Sequence, residues 1–221
     1  MNDFIAGSSS GFAQTIIGHP FDTVKVILQN REPFSFKTFP IKDYFRGILF
    51  PIGFSVGINA ISFTTYQHYM DHYTNQECIA GFIAGLFITP FVHLQDIGKI
   101  HKQLGHTLEL KHFMSRHGLL STITRETIAM STYFGTYHWL KKKHYHPIVA
   151  GGLAGLANWT LTYPLDVIRS RVYGQHIGMV EAYRQGYLWR GYSFCAARAI
   201  MVNATGFYVY EECKRYISEQ T

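Results

Sequence analysis

Two arginines and a glutamate stand inside apolar stretches of this 221-residue chain: Arg125, Glu126 and Arg198. A charge placed mid-helix in such surroundings needs a partner or a water-filled cavity. Guanidinium groups grip carboxylate or phosphate through planar, paired hydrogen bonds, and a carboxylate attracts a cation. The set suits a zwitterion, with its carboxylate on arginine and its amine or quaternary ammonium near Glu126. Phe54 adds a ring face for a cation. The bland alternative is an ion pair, Arg125–Glu126 or Arg198–Glu126, that merely ties helices together. Neighbours on a helix point to different sides, so Arg125–Glu126 is the poorer version.

A second set of charges repeats along the chain. Pro20-Phe21-Asp22-Thr23-Val24-Lys25 returns as Pro164-Leu165-Asp166-Val167-Ile168-Arg169, with a worn copy between them, Pro90-Phe91-Val92-His93-Leu94-Gln95. The three prolines divide the chain at nearly even intervals. Downstream lie Phe45-Arg46-Gly47, Ser115-Arg116-His117-Gly118 and Trp189-Arg190-Gly191. The steps from Pro20 to Gly47 and from Pro164 to Gly191 are equal, and that from Pro90 to Gly118 is longer by a single position. A fixed period decides architecture before any other reading. This one is two membrane helices long and divides the chain into units 1–73, 74–145 and 146–221.

The elements that must position these residues read as helices at 2–29, 48–70, 76–103, 119–142, 146–173 and 192–217, each long enough to cross a bilayer. Proline removes a helix hydrogen bond, so bends are expected at Pro20, Pro90 and Pro164. Glycine pairs Gly7/Gly11, Gly81/Gly85 and Gly151/Gly155 predict close helix approach. Charged residues are 15%, aromatics 16%, and mean hydropathy is near zero. That balance predicts an all-α membrane bundle around a polar interior, pseudo-threefold with bent odd helices. The net charge of +6 is spread along the chain, which favours anionic lipid over nucleic acid. Cys78, Cys195 and Cys213 have no zinc or disulfide spacing, and no cleavable signal is seen at the N-terminus. No dinucleotide, Walker, nucleophile-elbow or metal motif is present, so neither enzyme chemistry nor a cofactor is expected.

With the triple P-x-[DE]-x-x-[KR] and its downstream aromatic-basic-glycine marker, the chain resembles the mitochondrial carrier family. The run His19 to Gln29 is similar to the first signature of carnitine and ornithine carriers. The resemblance implies a monomer in the mitochondrial inner membrane, the host's if the gene is viral. It also implies a solute-exchange path with a gate at either end.

In the matrix gate the acid of each motif pairs with the base of the next: Asp22 with Gln95, Val92 with Arg169, and Asp166 with Lys25. The last is expected as the one surviving ion pair, braced by Gln29, with Lys99 and Tyr173 at the other brace positions. In the cytoplasmic gate the implied contacts are Gln67–Lys141, His138–Lys214 and Glu211–Met70, a weak barrier compatible with uniport. Equal counts forward from the outer prolines, and one position more from the middle one, lead to Phe54, Arg198 and Arg125 (with Glu126) as the substrate contact positions. Arg46-Gly47 and Arg190-Gly191 are implied cardiolipin sites at helix starts. The expected function is transport of a small zwitterion or anion of the amino-acid or carnitine class. A nucleotide carrier is the runner-up. A non-transporting protein on a decayed carrier scaffold is the alternative that the worn middle repeat would favour.

Overall fold

The structure, a computed structural model, describes residues 2–72, 76–107 and 116–219. Among them are six long helices: α1 (Asn2–Gln29), α2 (Leu49–His72), α3 (Glu77–Gln103), α4 (Arg116–Lys142), α5 (Pro147–Gln175) and α6 (Tyr192–Glu219). A 3-10 turn, Ile41–Phe45, and a short helix, Met179–Arg184, lie in the connections. No strand occurs among the described residues. The long helices follow the spans read from sequence within about three residues, the ordinary blur of helix ends. Pro20, Pro90 and Pro164 each lie inside a continuous helix.

Packing follows a ring: α6 on α1, α2 on α3, α3 on α4, and α4 on α5. Within a repeat, only the middle pair, α3 and α4, lies close along its length among the described residues. The glycines explain the closeness of that pair. A Cβ at Gly81 would stand 2.6 Å from the Met130 carbonyl oxygen, and one at Gly85 2.7 Å from that of Glu126. Their missing side chains let the α3 and α4 backbones touch. Gly11, Gly151 and Gly155 meet nothing within 4 Å among the described residues. Of the three expected glycine seams, the middle one is closed and the third is open among the described residues, while the surroundings of Gly7 in the first lie outside them.

Two apolar clusters hold opposite ends of the bundle. Val26, Ile97, Ile100 and Tyr173 join the C-terminal thirds of α1, α3 and α5. Tyr66, Ala80, Ala84 and Phe134 join α2, α3 and α4 at the other end, where the alanines admit the stacked rings. By length and apolarity, Ile41–His72 and Glu77–Gln103 qualify as membrane spans. The other long helices carry more polar residues, as helices enclosing a polar interior would.

The loops after α1 and α5 are pinned alike. His19 Nε2 donates to the Arg46 carbonyl at 2.9 Å, and the Tyr163 hydroxyl to the Arg190 carbonyl at 3.0 Å. Each donor is the residue before the proline. Gly47 and Gly191 follow with φ of +81° and +87°, a left-handed turn that suits glycine. In the middle repeat His93 takes the donor position. Its Nδ1 is 2.6 Å from the Tyr173 hydroxyl, which donates to the Gly118 carbonyl at 3.0 Å.

Candidate functional site

The C-terminal halves of α1, α3 and α5 converge on a ring of ion pairs. Lys25 Nζ is 2.6 Å from Asp166, Lys99 Nζ is 2.6 Å from Asp22, and Arg169 is 2.9 Å from Asp96. All three carboxylates are buried. Gln29 donates to Asp166 at 3.1 Å and to the Tyr163 hydroxyl at 3.3 Å. Each of the three helices therefore gives its acid to one neighbour and its base to the other.

The middle pairs differ from those expected. Gln95 does not face Asp22, and Val92 does not serve Arg169; Lys99 and Asp96 do so, one helical turn further on. The proline misplaced the register. The step from the second glycine of each pair to the acid is the same in all three repeats: Gly11 to Asp22, Gly85 to Asp96 and Gly155 to Asp166. The middle signature is thus Leu94-Gln95-Asp96-Ile97-Gly98-Lys99, intact in its charges, with its proline one turn early at Pro90. The brace position moves with it from Lys99 to Gln103, which donates to Thr23 at 3.1 Å. Tyr173, in the third repeat, engages His93 and Thr122 rather than an ion pair.

Next to the ring lies a cavity of about 310 Å³, which shrinks to about 40 Å³ between the ion pairs themselves. The bundle is closed at this end. Arg125, Glu126 and Arg198 all line the larger cavity, as does Gln95. Arg125 Nη1 reaches back to Glu126 Oε1 at 2.6 Å, a contact that helix geometry argues against. The flexible guanidinium stem overcomes the divergence of adjacent positions. Glu126 also takes Arg169 Nη1 at 2.7 Å, and Arg198 Nε lies 2.9 Å from Asp22. The cavity charges are therefore wired to the ring charges.

Phe54 is not among the lining residues; α2 contributes Pro51, Ser55, Ile58 and Asn59. Trp159 was missed by the sequence reading. Its indole faces Lys25 Nζ at 4.8 Å and the Arg125 guanidinium at 5.1 Å. A lone tryptophan in an apolar helix gives no sequence signal of that role.

At the opposite end, Gln67 donates to Asp71 on its own helix at 2.7 Å, His138 packs near Tyr66, and Lys141 is exposed. The side chains of Glu211 and Lys214 lie outside the described residues. Arg46 pairs with Asp43 at 3.0 Å, and Arg190 is exposed. His101 and His106 gather with His176, remote in sequence, at ring centroids 5.2–6.3 Å apart. Among the described residues, however, no group of His, Cys, Asp or Glu is placed to hold a metal ion.

A polar cavity inside a ring of long helices, shut at one end by exchangeable ion pairs, is the build of a membrane transporter. The sequence pattern of the family described as mitochondrial carrier protein matches residues 1–77 and 141–221. The gap falls on the repeat with the displaced proline. The chain is 28% identical to the mitochondrial arginine transporter BAC2 of Arabidopsis thaliana, covering 99% of this chain and 92% of that one. It is 29% identical to solute carrier family 25 member 45 of Homo sapiens, covering 98% and 99%. It is also 29% identical to the mitochondrial basic amino acids transporter of Rattus norvegicus, covering 93% and 86%. The chain belongs to the mitochondrial carrier family, whose members are transporters of the mitochondrial inner membrane.

Proposed function

We propose that this chain carries a small amino acid with separate cationic and carboxylate groups, by alternating access around the cavity at Arg125, Glu126 and Arg198. The observation that carries the reading is the wiring of that cavity. Arg198 is held by Asp22 and Glu126 holds Arg169, so each substrate-facing charge is lent to a residue of the ion-pair ring. A carboxylate that takes Arg198 weakens the hold on Asp22. A cation that takes Glu126 loosens Arg169. One zwitterion spanning both positions releases both contacts between the cavity and the ring, which an anion alone would not do. The relatives named for arginine and for basic amino acids support the same class.

In this reading the six long helices span the membrane as three repeats, 1–73, 74–145 and 146–221, related by a pseudo-threefold axis. The ion-pair ring of Asp22, Lys25, Asp96, Lys99, Asp166 and Arg169 is the matrix gate. The complete ring removes the main motive for reading the scaffold as decayed. Gln67, His138, Lys141, Glu211 and Lys214 form the lightly charged cytoplasmic gate. The left-handed turns at Gly47 and Gly191 offer cardiolipin phosphate a helix start next to Arg46 and Arg190, and the protein works as a monomer. The test is uptake into proteoliposomes of arginine, ornithine, carnitine and ATP by wild type and Glu126→Gln. Basic amino acids are expected to be taken up and to be lost in the variant. Uptake of ATP unaffected by the variant would replace this reading with a nucleotide carrier.

A further inference from the structure

A cavity of about 900 Å³ lies away from the ion-pair ring, at the end of the bundle where α2 and α4 face each other. Its walls are aromatic: Phe63 and Tyr66 from α2, and Tyr133, Phe134 and Tyr137 from α4. Tyr66 and Phe134 stack with centroids 3.8 Å apart, and Phe63 meets Phe134 edge-on at 5.8 Å. Tyr133 and Tyr137 lie nearly parallel, 8° apart in plane, with centroids separated by 6.4 Å. A group lodged beside this pair is within cation–π range of both rings. Among the described residues, the one charged side chain lining the cavity is Asp71, whose carboxylate is held by Gln67 at 2.7 Å.

The contrast with the inner cavity is chemical. There, lysines and arginines stand beside the acids and are paired with them. Here the rings and one carboxylate face the space beside the polar side chains of Thr64, Gln67, His68 and His138, and the ring faces with the acid favour a cation. The two places are also distinct stations. Tyr137 lies three helical turns beyond Glu126 on α4, about 16 Å at the helical rise, which is longer than an extended basic amino acid. Met130, held by Ser62 at 3.6 Å, stands on the same helix between them.

We infer that this cavity is an outer binding site for an organic monocation, of guanidinium or alkylammonium type. It holds the charged end of the solute before the solute reaches Glu126. The inference rests on the reading above that the solute passes through this end, and its test separates the two. Purified protein is titrated with methylguanidinium and with benzyltrimethylammonium, binding being read by isothermal calorimetry. Both probes carry a cation and lack a carboxylate, so neither can satisfy Arg198.

Wild type is expected to bind both probes, and the weakening caused by Tyr137→Leu or Asp71→Asn is expected to be the same whether position 126 is Glu or Gln. Tyr137→Leu and Asp71→Asn are expected to bind about threefold to thirtyfold more weakly, the range of a face-on cation–ring contact. Tyr137→Phe keeps the ring and should keep the affinity, which separates loss of a ring from loss of fold. Absence of binding to wild type, equal loss in Tyr137→Phe and Tyr137→Leu, or binding abolished by Glu126→Gln alone would each overturn the outer site. Probe binding that persists while basic amino acids are not transported would sink the transport reading and leave this site standing.

Discussion

Arg198 on α6 and Asp22 on α1 stand 2.9 Å apart, an ion pair between a residue facing the cavity and an acid of the closed end. Asp22 has a second partner in Lys99, so Arg198 can leave it without stranding a bare carboxylate. That spare bond makes the contact exchangeable. Replacing Arg198 with Gln should leave the fold intact and lower kcat/KM for uptake by about tenfold to a hundredfold. The principle is that a charge-assisted hydrogen bond is worth about 1.5–3 kcal/mol. Thermal unfolding should shift little. A large drop in melting temperature with unchanged uptake would assign Arg198 to stability instead.

Lys25 and Asp166 are both nearly inaccessible and are 2.6 Å apart. Removing one partner leaves a buried charge, which typically costs about 3–5 kcal/mol, whereas removing both leaves none. Lys25→Ala should therefore unfold at a lower temperature than the double variant Lys25→Ala/Asp166→Ala. A double variant less stable than Lys25→Ala would contradict the pairing.

Asp96 and Lys99, not Val92 and Gln95, complete the ring. Asp96→Ala and Lys99→Ala should each reduce uptake strongly, while Val92→Ala should change it little. Exchanging the charges, Asp22→Lys with Lys99→Asp, should restore part of the uptake lost in Asp22→Lys alone. Equal defects in the single and exchanged variants would argue against a direct pair.

Glycine substitutions should separate the closed seam from the open one. Gly85→Ala places a methyl group 2.7 Å from the Glu126 carbonyl oxygen and should destabilise the protein by about 1–3 kcal/mol. Gly151→Ala meets nothing within 4 Å among the described residues and gains helix propensity, so its melting temperature should hold or rise. Thermal unfolding in detergent checks both.

Much of this arrangement was legible in the chain. Helix spans follow hydrophobic length and breakers, and Arg125, Glu126 and Arg198 declared themselves by standing charged in apolar runs. The middle gate was misread because proline is a poor anchor for the repeat. Proline fixes only a backbone irregularity and can slide by a turn, whereas the carboxylate must meet its partner on the next helix. The glycine-to-acid spacing held the right register and was available. Other features were beyond any spacing rule. Trp159 meets Lys25 and Arg125 through tertiary packing. The Arg125–Glu126 contact depends on a side-chain rotamer, and Phe54 was placed by a count along α2 that packing did not respect.

The fully buried Arg171 has a further consequence. Its guanidinium donates to the Gln29 carbonyl at the end of α1, and to the Ala182 and Gly186 carbonyls around the short helix Met179–Arg184. Asn30 donates to Ser170 and Gln175 to the Asn30 carbonyl beside it, and Gly174 leaves room for the Asn30 side chain. These are bonds to uncharged groups, and those involving Gln29 and Asn30 tie the end of α1 to α5. The border of α1 with α3 has Lys99–Asp22 and Gln103–Thr23 as polar contacts beside the packing of Val26 on Ile97 and Ile100. In the proposed transport cycle a barrier tied in this way opens unevenly, with the border of α1 and α5 the last to part.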